Sequence, residues 1–396
     1  MNPSAIKPEI ANKRIAIFLP SLERGGAERR MSLLAEQLKH RGYQIDVVLL
    51  RKKGHFVDWL ETYDIPIRSI EKDGRFDLIG AAFRAMILFR EQRYDVVLSC
   101  LPSANLFSVL VKLLNRDTRL IWGIAAADMP MQHYGLWARV GAILQKKLSS
   151  LSDLIVVNSF FAKHIFEQQG LQPDKMCVVQ NGVDTEKFQY DAEVGKEWRL
   201  KFDIPLSAHV IGLVARLDPA KGVENFLEAV EIAIKKGQKN WYFVIVGSGE
   251  SDYALRLKQD IEKSGSYPKQ LRLLENTQVD NVIYNAMDML SITSVSESFP
   301  NVMLEAMSCN TKLVSTDVGD CKQVINDYGK VIAIGDAQAL YEAWETELMK
   351  TKNSTTSQQA QDKSMRDYVI ENYSIDRMVE KFEQILCDQL HMQSFR

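Results

Sequence analysis

The sequence predicts two doubly wound α/β domains in one chain. Three observations point there. Short apolar runs alternate with amphipathic stretches, the alternation restarts after a long polar segment, and 396 residues is more than one hydrophobic core ordinarily serves.

The first set of strands is expected at 14–20 (RIAIFLP), 45–50 (IDVVLL), 95–100 (DVVLSC), 120–125 (LIWGIA) and 154–159 (LIVVNS). Each is rich in Val, Ile and Leu without polar alternation, as parallel strands buried on both faces require. Between them, stretches such as 27–40, closed by Gly42, carry apolar residues at helical spacing. The stretch 76–95 mixes Phe, Ile, Leu and Met with Arg84, Arg90 and Arg93. It reads either as a membrane-surface helix or as a buried core helix with snorkelling arginines, and the second is the preferred expectation.

The polar segment 184–205 is expected to be the linker region. The second set of strands follows at 209–216, 242–249, 271–276, 289–294 and 312–319. Residues 351–364 are polar and predict a surface loop, whereas 373–390 regain helical periodicity and should dock on something. The expected domains are therefore 1–188, 205–374 and a closing helix over 375–396. Two such domains predict a cleft at the carboxyl ends of their strands, with closure on a ligand.

Lys plus Arg (49) nearly cancels Asp plus Glu (51), so bulk charge gives no argument for nucleic-acid binding. The five cysteines are scattered and form no Cys-x-x-Cys pair, which favours reduced thiols over a disulfide scaffold or zinc ribbon. Residues 1–13 contain no apolar signal core, and no run of about eighteen apolar residues could span a bilayer. A cytoplasmic protein is expected, with contact at the membrane surface left open.

The richest stretch is SESFPNVMLEAMSC, 296–309. A strand ending in MLSITS would lead through a turn carrying Glu297 into a helix with Pro300 near its first position. Asn301 and Glu305, four residues apart, would share one helix face. Free N–H groups at a helix start suit an anion, and a carboxylate one turn further in suits vicinal hydroxyls, so a phosphate beside a ribose fits both. Two arbitrary glutamates are more often a solvated turn residue and a surface helix charge. Three other stretches weigh against that. Gly25 and Gly26 follow the first strand, where the missing Cβ lets backbone approach a diphosphate. Arg216 and Lys221 stand at the end of another strand, two cations suited to a diphosphate leaving group. Asn181 and Gly182 form a tight turn near the domain boundary.

Together these pieces carry a resemblance. GGAER (25–29), WGIAAADM (122–129), NGVDTEKF (181–188), ARLDPAKG (215–222), SESFPNVMLEAMSC and STDVGD (315–320) make the chain similar to glycosyltransferase family 4 over nearly its whole length. The specific element is Glu, seven residues, Glu with its Phe-Pro-Asn insert. The resemblance implies a GT-B fold, with two Rossmann-like domains facing across a cleft and the closing helix crossing back to the first. It implies a retaining transferase that moves a sugar from a nucleotide diphosphate sugar, of UDP or GDP type, to a glycan or lipid-linked acceptor in polysaccharide or lipopolysaccharide synthesis. By the same analogy Arg216 and Lys221 neutralise the diphosphate and Glu305 binds the ribose. Glu297, with Ser298 and the backbone around Phe299, Pro300 and Asn301, holds the transferred sugar and its phosphate. Gly25 and Gly26 close over the diphosphate. The chain has no Asp-x-Asp triplet, and fixed cations with helix N–H groups can stabilise the leaving group electrostatically, so no metal or other cofactor is expected.

Departures fall on the acceptor side. Ala125 and Ala127 stand where the family commonly carries an arginine and a small polar residue. Asp128 and His133 remain the acceptor-side candidates, with loop capping or surface exposure an equally good account of each. Three rivals are weighed. A nicotinamide-dependent oxidoreductase is disfavoured because no first strand leads into Gly-x-Gly-x-x-Gly and VGSGESDY lacks the last glycine. An epimerase or hydrolase of the same fold, and a non-catalytic nucleotide-sugar-binding partner subunit, stay open.

Overall fold

The computed structural model describes residues 10, 12–23, 25–74, 76–124, 136–263, 270–275, 279–352 and 357–394. The chain forms two compact units, Met1–Asn181 with Ile375–Arg396, and Gly182–Ser374.

Among the described residues the first unit carries a seven-stranded parallel sheet in the order β3-β2-β1-β4-β5-β6-β7. Its strands are β1 (Arg14–Leu19), β2 (Gln44–Leu49), β3 (Ile67–Ser69), β4 (Val96–Cys100), β5 (Arg119–Ile124), β6 (Leu154–Val157) and β7 (Met176–Val178). Alternate side chains feed two cores. Ile15, Ile17 and Leu19 pack with helix Gly26–His40 and the closing helix Ile375–Ser394 through Leu34, Leu38, Val379 and Phe382. Ala16 and Phe18 pack on the opposite face with Val97, Trp122 and Phe89 of helix Leu78–Gln92. Arg41, at the end of Gly26–His40, fastens the closing helix by ion pairs to Glu383 (2.7 Å) and Asp376 (2.8 Å).

Among the described residues the second unit has a six-stranded parallel sheet in the order β10-β9-β8-β11-β12-β13. The strands are β8 (His209–Val214), β9 (Trp241–Val246), β10 (Leu271–Leu274), β11 (Met289–Ile292), β12 (Lys312–Thr316) and β13 (Gly329–Ile332). Chain order reverses between β8 and β11. In doubly wound sheets such a switch point is where ligands bind, outside the carboxyl ends of the central strands.

Several sequence expectations change. The segment 184–205 contains helix Ala192–Lys201 and belongs to the second unit, whose chain starts at Gly182 rather than after 188. Its Trp198 is buried, and Arg199 bonds to the Ala286 carbonyl and to Asp288, so polar composition here marks an amphipathic helix and not a tether. Within 351–364, Lys352 ends one helix and 357–364 begin another, Ser357–Tyr373, while 353–356 lie outside the described residues. Helix Leu78–Gln92 buries Ala81, Ala85 and Phe89 but leaves Ile79 88% and Phe83 65% exposed, which corrects the expectation of a buried core helix.

Candidate active site

The loop after β8 is built to hold Lys221. Asp218 accepts the Ala220 N–H (2.9 Å) and caps the short turn Pro219–Lys221. Gly222 then turns the chain into helix Val223–Lys235 at φ +58°, and a Cβ there would lie 2.2 Å from the Thr293 carbonyl oxygen. Only glycine combines that backbone with that approach. The same loop is tied to the one leaving β11, because Thr293 Oγ1 donates to the Lys221 carbonyl (2.9 Å) and the Val295 N–H to the Ala220 carbonyl (2.9 Å). Lys221 Nζ is thereby aimed at Glu297 Oε1, with which it forms an ion pair. Ser294 Oγ donates to the same oxygen at 2.9 Å.

Beyond Glu297 the chain is held from the β12 side. Gly319, at φ +53°, would place a Cβ 2.3 Å from the Ser298 carbonyl, and the Asp320 N–H donates to that carbonyl at 3.2 Å. Thr316 Oγ1 donates to the Ser294 carbonyl (2.6 Å). Ser298 and Phe299 are buried, and Phe299 packs beside Tyr373 with ring centroids 6.1 Å apart. Pro300 is the N-cap of helix Asn301–Ser308, and Asn301 is the first helical residue.

Glu305, on that helix, is 3% exposed, so the surface-charge account of it fails. A buried carboxylate must be hydrogen-bonded. Tyr284 Oη donates to Glu305 Oε2 at 2.6 Å. The Tyr284 ring meets Phe188 edge-on (5.8 Å), and Arg366 ties the carbonyls of Thr185 (2.7 Å), Phe188 and Ser308 (both 2.8 Å). Asp184 Oδ1 closes the turn by accepting from Lys187 N (2.9 Å). The motif 181–188 thus contributes scaffold beneath Glu305.

The second unit therefore brings Lys221, Glu297, Ser298, Phe299, Pro300, Asn301 and Glu305 to one end of its sheet. Arg216 stands on the same post-β8 loop, exposed and without a hydrogen bond or ion pair among the described residues. Gly25 and Gly26 belong to the first unit, after β1. Gly25 is the N-cap of helix Gly26–His40 with extended backbone (φ −146°), and the atoms nearest to a Cβ on it belong to the Glu28 side chain. The fold does not demand glycine there. Burial pushes the Glu28 carboxyl above its usual pKa. Asp128 and His133, with Ala125 and Ala127, lie outside the described residues. Among the described residues no group of three or more His, Cys, Asp or Glu could hold a metal ion, and no helix is long and apolar enough to cross a membrane. Sequence reasoning missed Tyr284, Ser294 and Thr293. Tyr284 sits in an apolar run that reads as core, and nothing local signals its partner.

Two Rossmann-like units with a lysine–glutamate pair at a switch point, and a buried carboxylate one turn into the next helix, define a GT-B glycosyltransferase. Residues 24–187 match the model described as Glycosyltransferase Family 4, and residues 208–349 match that of Glycosyl transferases group 1. The chain belongs to the family 4 type of glycosyltransferase. It is 29% identical over 204 residues to a D-inositol 3-phosphate glycosyltransferase of Corynebacterium urealyticum, covering 50% of this chain and 48% of that one. The chain thus spans about half the length of that relative. It is 25% identical over 332 residues to the phosphatidylinositol N-acetylglucosaminyltransferase GPI3 subunit of Saccharomyces cerevisiae, covering 78% and 68%. The crystal structure of Anabaena HepE in complex with UDP-glucose superposes with a TM-score of 0.78 at 20% identity, over 94% of this chain and 99% of that one, which supports the fold.

Proposed function

We propose that the protein moves a sugar from a nucleotide diphosphate sugar to a glycan or lipid-linked acceptor, with retention at the anomeric carbon. The observation that carries this reading is the pairing of Lys221 with Glu297 across the β8/β11 switch point, with buried Glu305 on the helix that follows.

Breaking the glycosidic C–O bond leaves positive charge on the sugar and negative charge on the diphosphate. In this reading Lys221 and Arg216 take the diphosphate charge, aided by N–H groups at the start of helix Asn301–Ser308. Lys221 would then exchange part of its contact with Glu297 for the phosphate. Glu297, held by Ser294, orients the sugar. Glu305 accepts from the ribose hydroxyls, and its burial makes that contact strong because water competes little. Fixed cations supply the charge stabilisation, so the reaction needs no divalent metal. HepE has been seen with UDP-glucose, which favours a uridine donor.

The test is thermal-shift measurement of wild type and Glu305→Ala against UDP, GDP and their sugars, followed by turnover with and without acceptor. A stabilising shift for one nucleotide that is lost in the variant supports the reading. No shift for any nucleotide refutes it. Donor consumption that does not depend on acceptor would instead indicate a hydrolase or epimerase.

A further inference from the structure

Helix Leu78–Gln92 is apolar on two faces. Ala81, Ala85 and Phe89 point into the first unit's core. On the other side Ile79 (88% exposed), Phe83 (65%), Met86 and Ile87 form a single stripe at spacings of four, three and one, and Phe76 (86%) extends it beyond the helix start. Isolated exposed apolar residues need no explanation, but a continuous stripe of large ones marks an interaction surface. The pattern is also not a coiled-coil seam, because the outward set is confined to about two turns and ends in Arg90.

Charge decides what the stripe meets. The connections β3 to β4, β4 to β5 and β5 to β6 all join parallel strands, so helices Leu78–Gln92, Pro102–Leu114 and Leu136–Leu148 run in the same sense and end on the same side. Exposed cations gather at those ends: Arg90 and Arg93, Arg116, and Lys146 with Lys147. Exposed Glu91 and Asp117 are the carboxylates among the same helix-end residues. An anionic bilayer surface complements both features, since acyl chains accept the stripe and headgroups the cations.

We propose that Phe76, Ile79, Phe83, Met86 and Ile87 form a membrane-docking face that inserts into the interfacial region of an anionic bilayer, with Arg90 and Arg93 against its headgroups. This goes beyond the donor chemistry and stands independently of it, because the face lies wholly in the first unit.

The test is cosedimentation of the full chain with vesicles of phosphatidylcholine alone and of phosphatidylcholine mixed with phosphatidylglycerol. Wild type is expected to pellet with the mixed vesicles. Each apolar side chain removed from the interface should weaken partitioning by about tenfold or more, so Ile79→Ser/Phe83→Ser should lose about a hundredfold, with Phe76→Ser as a variant outside the helix. Arg90→Gln/Arg93→Gln should weaken binding to the mixed vesicles selectively. All of these positions are exposed, so the variants should keep the fold, which circular dichroism melts will check. Wild type that stays in the supernatant with both vesicle types overturns the proposal. So does a concentration-dependent dimer in light scattering that Ile79→Ser/Phe83→Ser abolishes, since the face would then belong to a second copy.

Discussion

Tyr284→Phe isolates one hydrogen bond at the candidate site. The ring is kept, so the edge contact with Phe188 persists, and the Oη donor to Glu305 is lost. Both side chains are buried, Tyr284 fully and Glu305 to 3% exposure, so water cannot replace the donor without opening the core. A hydrogen bond to a charged group contributes about 1.5–3 kcal/mol. For a unit of this size that corresponds to a fall in Tm of roughly 3–12 °C. A carboxylate short of one donor also loses its fixed direction, and a misplacement equivalent to about 1.4 kcal/mol weakens nucleotide binding about tenfold. Fluorimetry reads the first effect and calorimetric titration of UDP and GDP the second. Tyr94→Phe is the control, because its Oη donates to buried Asp46 (2.7 Å) in the other unit. It should lower stability and leave nucleotide affinity alone. If Tyr284→Phe behaved as Tyr94→Phe does, the tyrosine would support the core without positioning Glu305, and the argument would fail.

Four further outcomes are expected. Lys221→Ala should lower turnover by about a hundredfold or more through lost charge stabilisation, with addition of EDTA leaving wild-type turnover unchanged, as initial rates will show. Gly319→Ala forces a left-handed backbone onto a residue whose Cβ lies 2.3 Å from the Ser298 carbonyl, so it should destabilise by more than the ~1–2 kcal/mol of the backbone alone and abolish the thermal shift with donor. Arg41→Ala strands Glu383, whose side chain is 4% exposed, and should cost about 3–5 kcal/mol; limited proteolysis will then release the closing helix that wild type protects. Burial pushes the Cys100 and Cys177 thiols up to about 11 and those of Cys309 and Cys321 to about 12. These thiols should resist iodoacetamide at pH 8 until denaturant is added. Because the unfolded thiols ionise first, stability should fall as pH rises above their unfolded value near 9.

Strands legible from sequence are those buried on both faces, where Val, Ile and Leu must run without interruption. The missed ones, β3 (IRS), β7 (MCV) and β13 (GKVI), lie at sheet edges and are three or four residues long. An edge strand has one neighbour and a partly open face, so it tolerates Arg68, Ser69 and Lys330, and the apolar signal disappears. Polar composition misled in two places for the same reason. Helix Ala192–Lys201 and the start of Ser357–Tyr373 have few apolar residues, too few to leave a helical periodicity in the sequence. Helix Leu78–Gln92 failed in the opposite direction, since apolar residues on two sides look like core from sequence whichever side is covered.

The site divides along the same physical line. Its legible parts are places where backbone meets backbone. Gly222 lies against Thr293 and Gly319 against Ser298, both at positive φ, and no other residue type fits, so the glycines keep a fixed spacing from the acidic residues that they hold. Much of what makes the stretches 181–188 and 315–320 recognisable is of this kind. Asp184 closes a turn, Phe188 seats Tyr284, and Thr316 and Asp320 clamp the loop that carries Glu297. Side-chain partners reached across the sequence leave no such trace. Tyr284 and Glu305 are 21 positions apart, and the bond between them could have come from a serine, a lysine or a backbone N–H without altering either motif. The pattern records the loops that must touch for Lys221 to reach Glu297.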